Sequence, residues 1–243
     1  MKSIIIVFLL TIGLLIDQEI EFWGQTIANI FIWLFFLALL RSGNRTEQVS
    51  LILCVLYATG GEVFLSLVWG LYEYRLYNIP LFVPPGHALL FTLGLLLAPK
   101  TPNWIVWVVP ALTAPYLIFA IHGGFDTMGG ILFLTFLICL IFGKAKKLYA
   151  TMFVLSLILE IYGTWLGNWT WSIEVPWLGL TSTNPPASAG AFYCLLDLLV
   201  VSTVAAINSR SNHPFSNLTP SLALITPPSP PQQDLPLPTS LDN

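Results

Sequence analysis

Charged residues and prolines are so thinly spread along this chain that they divide it into eight apolar runs, at 3–16, 22–40, 49–70, 86–98, 104–121, 128–142, 148–167 and 188–207. The runs are rich in Leu and Phe and lack the every-second-residue alternation of a membrane barrel strand. In hydrocarbon an unpaired backbone polar group costs several kcal/mol, so segments of this kind are expected to be helices, which satisfy their own amides. Several runs fall short of the ~20 residues that span ~30 Å of lipid core, and their ends are expected to extend into flanking polar or proline-bearing segments. The fourth run carries the weakest signal. Lys2 precedes the first run, but no small-x-small cleavage site follows before Asp17, Glu19 and Glu21, which predicts an uncleaved first helix.

Composition points to the same solvent. Of 243 residues, 56% are hydrophobic and 9% charged, with a mean hydropathy of +0.80, whereas roughly a quarter of a soluble domain is charged. A net charge of -3 offers no basic surface for nucleic acid. Cys54, Cys139 and Cys194 lie inside apolar runs without metal-site spacing and read as small core residues; no metal or cofactor is expected. With eight helices, Lys2, Arg41, Arg45, Lys100, Lys144, Lys146, Lys147 and Arg210 fall on one face, leaving Arg75 alone among the nine Lys and Arg on the other. By the positive-inside rule both termini are then cytoplasmic. Residues 208–243 turn abruptly to Pro, Ser, Thr, Asn and Gln, the composition of a disordered tail.

One stretch occurs twice. Glu62, Gly70, Tyr72, Tyr74, Pro80 and Pro84-Pro85 are answered in order by Glu160, Gly167, Trp169, Trp171, Pro176 and Pro185-Pro186. The fold class expected is an all-α polytopic membrane protein built as two parallel four-helix repeats, 1–100 and 101–207. Pro84-Pro85 and Pro185-Pro186 read as openings of the fourth and eighth helices, since proline suits a first helical turn.

The candidate chemistry follows from depth. Glu62 and Glu160 lie roughly 10 to 12 Å inside the ends of their helices, and Asp197 is at a similar distance into the last one, at 1.5 Å per residue. A charge so placed costs at least ~2.5 kcal/mol, so such carboxyls should face the bundle interior and pair, stay protonated or line a wet cavity. Ser66 and Trp69 share the face of Glu62 at i+4 and i+7. Gly163 and Gly167 share that of Glu160, where missing side-chain bulk leaves room for a ligand. Tyr72 and Tyr74, with Trp165, Trp169 and Trp171, present aromatic faces to it or belong to an interfacial belt. His87 and Ser188, beside the two Pro-Pro pairs, complete the candidates; His87 is read as a proton shuttle, a hydrogen-bond donor to substrate or a satisfied interface residue. His122 with Asp126 reads as a turn.

The glutamate helix followed by G-x-aromatic-x-aromatic, a proline and a further helix resembles the integral-membrane carotenoid hydratase family over about 25 residues in each half. The resemblance implies an enzyme that adds water to a terminal double bond of an acyclic isoprenoid, and hence a lipid or isoprenoid partner within the bilayer. A neutral carboxylic acid, Glu62 or Glu160, would donate the proton, and the other or Asp197 would activate water. Membrane terpene cyclases share that opening step and exclude water afterwards. A proton-coupled small-molecule carrier and a non-catalytic membrane protein are the readings from other classes.

Overall fold

The computed structural model describes residues 1–210; the expected tail therefore lies, from residue 211 onward, outside the described residues. The described chain is mostly helical, with eight α-helices: α1 Lys2–Glu19, α2 Gly24–Ser42, α3 Arg45–Glu62, α4 Val83–Leu97, α5 Ile105–His122, α6 Thr127–Phe142, α7 Lys146–Leu166 and α8 Gly190–Arg210. Each of the eight apolar runs becomes one of these helices. Five are long and apolar enough to cross a membrane: α2, α3 with its continuation to Val68, α5, α7 and α8. That is the composition of an integral membrane protein.

Local chemistry sets the ends. Asn44 and Glu47 form a reciprocal capping box at the start of α3, each backbone amide donating to the other's side chain at 3.0 Å. Asp126 caps α6 by accepting from the Gly129 amide at 2.9 Å, and also accepts from the Ala187 amide at 2.8 Å. The turn expected around His122 and Asp126 lies between them, with His122 ending α5 and Asp126 starting α6 while also tying down the approach to α8. Pro84 and Pro85 open α4 in its first turn, as expected. Pro185 and Pro186 do not open α8: they lie in the preceding loop, and the helix starts at Gly190. An added Cβ on Gly190 would sit 2.5 Å from the Phe153 carbonyl oxygen, so a glycine there lets α8 lie close against α7.

At the centre, α3, α4, α7 and α8 close a ring, each packing on the next and α8 returning to α3. Helices α1 and α2 pack against α4, while α5 and α6 pack against α7. Only 11% of the α5 span is buried, against 50% for α7, which places α5 at the periphery and α7 in the middle. Cys54, Cys139 and Cys194 are buried free thiols in this core.

Where α3 and α7 end, the chain turns back over the ring. Helix α3 runs into a π turn, Val63–Val68, and then bends at Gly70, φ 71°. Helix α7 ends at Gly167, φ 85°, the left-handed conformation that glycine takes at a helix C-terminus. Each turn feeds a three-residue strand, β1 Tyr72–Tyr74 and β2 Trp169–Trp171. The two strands pair antiparallel, Tyr72 opposite Trp171 and Tyr74 opposite Trp169. A second hairpin, β3 Glu174–Val175 with β4 Leu180–Thr181, carries Trp177 at its tip in a left-handed conformation, φ 69°. Arg75, just past β1, forms an ion pair with Asp17 at 3.4 Å. Asn168 donates to the other Asp17 oxygen at 2.8 Å, so this clasp fastens both loops to the end of α1.

Candidate functional site

Strand geometry decides what the ribbon presents. Successive side chains point to opposite faces, so Glu73 and Thr170 are exposed while Tyr72, Tyr74, Trp169 and Trp171 all turn inward. Beneath them stand the two glutamates. The hydroxyls of Tyr72 and Tyr74 donate to Glu62 Oε2 at 2.8 and 2.7 Å. The indole N–H groups of Trp169 and Trp171 donate to Glu160 Oε2 at 2.8 and 3.1 Å. Each carboxyl is gripped by the aromatic pair that follows it in its own half.

The second oxygen of each carboxyl meets a different partner. Glu62 Oε1 lies 3.5 Å from His87 Nε2, and His87 Nδ1 lies 3.0 Å from the Val83 carbonyl oxygen. A carbonyl only accepts, so Nδ1 carries a hydrogen in that contact, and Nε2 is the ring nitrogen turned toward Glu62 Oε1. Glu160 Oε1 accepts from the Tyr193 hydroxyl at 2.8 Å. The His87 and Tyr193 rings stack with centroids 4.9 Å apart and planes 8° apart, which joins the two carboxyl sites.

Glu62, Tyr72, His87, Glu160, Trp171 and Tyr193 line two adjoining cavities. One, about 50 Å³, is walled by Leu10, Leu14, Ile32, Phe82 and Leu90. The other, about 340 Å³, runs between α3 and α8 past Tyr57, Phe64 and Leu199. Both are apolar with polar groups gathered on the shared wall, and the larger one has the build of a small-ligand site. Tyr72 against Trp171, 4.8 Å between centroids, adds aromatic surface to that wall.

Glu62, Glu160, His87, Tyr72, Tyr74, Trp169 and Trp171 are therefore brought together, and Trp69 lines the larger cavity. The other sequence candidates lie elsewhere. Ser66 lines neither cavity, because the i→i+5 turn through Val63–Val68 breaks the i, i+4 spacing that placed it beneath Glu62. Gly163 makes room not for a ligand but for Trp169: an added Cβ would sit 2.0 Å from that ring. Gly167 is the helix stop described above. Trp165 is 77% exposed on the outside of α7, and Ser188 is buried in the loop before α8, its hydroxyl without a partner. Asp197, expected level with the glutamates, lines neither cavity; it is fully buried with both oxygens unpartnered. It sits one turn along α8 from Tyr193, within electrostatic reach of Cys54, Cys139, Cys194 and Tyr149.

Tyr193 is the residue that sequence reasoning passed over. Its signal was a phenol four residues before Asp197, on one face of an otherwise apolar helix. Among the described residues, no three His, Cys, Asp or Glu side chains gather as metal ligands do. No protein-family model, curated protein or solved structure matches the chain.

Proposed function

We propose that this protein is a membrane-embedded enzyme that protonates a carbon–carbon double bond of an isoprenoid lipid, followed by hydration or cyclisation. The observation that carries the proposal is the convergence of two carboxyls and a histidine on one apolar, aromatic-lined chamber. Glu62 is the proton donor. Its Oε1 lies 3.5 Å from His87 Nε2, and His87 relays back to it the one proton that Glu160 takes up at the end of each cycle. The proton adds to the less substituted alkene carbon, and the π electrons form the new C–H bond. The tertiary cation left behind is held by the faces of Tyr72, Trp171 and Tyr193, an attraction of about 2 kcal/mol each when desolvated.

Glu160 completes the reaction. All three hydrogen bonds to its carboxyl come from donors, and two of those are indoles that cannot accept, an arrangement that favours the carboxylate form against the cost of burying it. In hydration, water attacks the cation and Glu160 accepts the proton that water sheds. In cyclisation, a second double bond attacks and Glu160 removes a proton from the new ring. Water is the only co-reactant, and the acid and base are restored when that proton is passed back to Glu62. The resemblance to carotenoid hydratases supports hydration of an acyclic chain end.

The finer architecture belongs to the same proposal: all eight helices cross the bilayer, both termini are cytoplasmic, and the two halves are parallel repeats. Tyr72 corresponds to Trp169 and Tyr74 to Trp171, and the ribbon pairs Tyr72 with Trp171 and Tyr74 with Trp169. A twofold axis between duplicated halves produces that crosswise register.

The second reading is a proton-coupled carrier, favoured by Asp197, an intramembrane carboxyl with no partner. The test is to replace Glu62 and Glu160 with Gln and compare lipid extracts by mass spectrometry. A hydratase loses a product one water heavier than its precursor and a cyclase loses an isomer. Unchanged lipids in both variants would remove the enzymatic reading.

A further inference from the structure

The larger cavity has a shape that the two glutamates do not explain. It is a slot between α3 and α8, two of the helices long and apolar enough to cross a membrane. One side is formed by Gly61, Phe64 and Leu65, the other by Leu195, Leu196 and Leu199. Phe64, Leu195 and Leu199 are 48%, 38% and 45% exposed, so the mouth of the slot is apolar and faces sideways out of the bundle. A polar ligand arriving from water would meet no charged or hydrogen-bonding group at such a mouth; a chain already dissolved in lipid would lose nothing by sliding in.

The slot is bounded at both ends. At one, the Tyr57 hydroxyl and Thr203 Oγ1 meet at 2.9 Å, linking α3 to α8. At the other, Trp69 donates its indole N–H to the Pro176 carbonyl at 2.8 Å and stacks on Trp177, 6.2 Å between centroids and 11° between planes. Tyr57 and Trp69 are twelve residues apart, about 18 Å at the helical rise, so the opening is a long window rather than a hole. At about 340 Å³ the cavity is near the small end of ligand sites, which run from about 300 to 1,000 Å³, and holds only the end of a long lipid.

We infer that the α3–α8 slot is a lateral window through which one end of a long, methyl-branched apolar chain enters from the bilayer to reach Glu62 and His87, while the rest of the chain stays in lipid. This rests on the enzymatic reading and adds a substrate class: chains chosen by their end group, with little regard to total length.

Gly61 supplies the decisive variant. An added Cβ meets nothing within 4 Å at Gly61 or at Gly60, yet only Gly61 lines the slot, so Gly61→Leu fills the window and Gly60→Leu is its matched control. The protein is reconstituted in phosphatidylcholine vesicles with a geranylgeraniol carrying a photoreactive diazirine at its hydrocarbon end. Crosslinked peptides are then mapped by mass spectrometry. Labelling is expected at Phe64, Leu195 or Leu199 in the wild type and in Gly60→Leu, and reduced at least tenfold in Gly61→Leu. Labelling that Gly61→Leu leaves intact, or that falls outside the slot, overturns the window. Glu62→Gln separates the two ideas. If it keeps the labelling and loses the product, both stand; if it keeps both, the window stands and the enzymatic reading fails. If product is lost without slot labelling in the wild type, the window fails alone.

Discussion

Glu62, at the end of α3, and Glu160, near the end of α7, are held in the same way on one oxygen and differently on the other. On Oε2 each accepts two hydrogen bonds from an inward-facing aromatic pair. On Oε1 Glu62 faces an imidazole nitrogen at 3.5 Å, while Glu160 faces a phenol that donates. Tyrosine hydroxyls both donate and accept, whereas indole N–H groups only donate. Under the proposed mechanism the surroundings of Glu62 suit proton transfer and those of Glu160 suit a carboxylate. The lesson is that two similar stretches of sequence diverge in chemistry through a few partners, here His87 against Tyr193 and Tyr against Trp.

The most severe way to break this comparison is to remove the proton that the proposed mechanism assigns to Glu62. Glu62→Gln keeps the size of the side chain and its place under Tyr72 and Tyr74 but cannot donate an acidic proton. Product formation in lipid extracts should fall between about 100-fold and 10,000-fold, the contribution of a positioned general acid. His87→Phe comes next. The ring can still stack on Tyr193, so the chamber keeps its shape while Glu62 loses its partner for proton exchange. A fall of about 100-fold is expected. A variant with an unaltered rate of product formation would make His87 a packing residue only.

Much of this arrangement was legible before any coordinates. Eight apolar runs became eight helices, because in a membrane the backbone has few other ways to satisfy its amides. Pro84-Pro85 marked the start of α4 correctly. The matching order of Glu, Gly and alternate aromatics pointed at the residues that now surround the chamber. What could not be read was pairing across long separations. The spacing of Tyr72 and Tyr74, and of Trp169 and Trp171, is the period of a strand, but three residues are too few to announce a ribbon between segments almost a hundred residues apart. Ser66 was misplaced because nothing in V-F-L-S-L-V signals a π turn. Gly163 was read as empty space because the ring that fills it arrives from Trp169, beyond the helix end.

The indoles offer a milder test of the same asymmetry. Trp169→Phe or Trp171→Phe removes one donor from Glu160, and a hydrogen bond to a charged group contributes about 1.5–3 kcal/mol. Product formation should drop about 10- to 100-fold in either variant. Tyr72→Phe or Tyr74→Phe should cost less, since Glu62 retains His87. Equal losses in both halves would mean that the aromatic pairs serve only as scaffolding. Gly163→Ala reaches Trp169 from behind. Its methyl would lie 2.0–2.5 Å from ring atoms, an overpacking expected to cost about 1–3 kcal/mol. Thermal unfolding in detergent should register that loss, while Gly60→Ala, which meets nothing within 4 Å, should be neutral or gain up to about 1 kcal/mol.

Asp197 sets the lower end of the scale, and its small expected effect is informative. It is as deeply buried as either glutamate, but no aromatic donor reaches it and it borders neither cavity. Asp197→Asn is nearly isosteric and removes a carboxyl that has no hydrogen bond to lose, so stability should change by less than about 1 kcal/mol. If the reaction runs between Glu62 and Glu160, product formation should stay within about twofold of wild type, a change far below that caused by either glutamate substitution. A carrier driven by protons would respond in the opposite order, with proton-gradient-dependent uptake into vesicles lost in Asp197→Asn while the lipids of the host membrane remain as they were. Measuring lipid products and uptake on the same three variants thus ranks the buried acids by what they do, and burial alone does not predict that order.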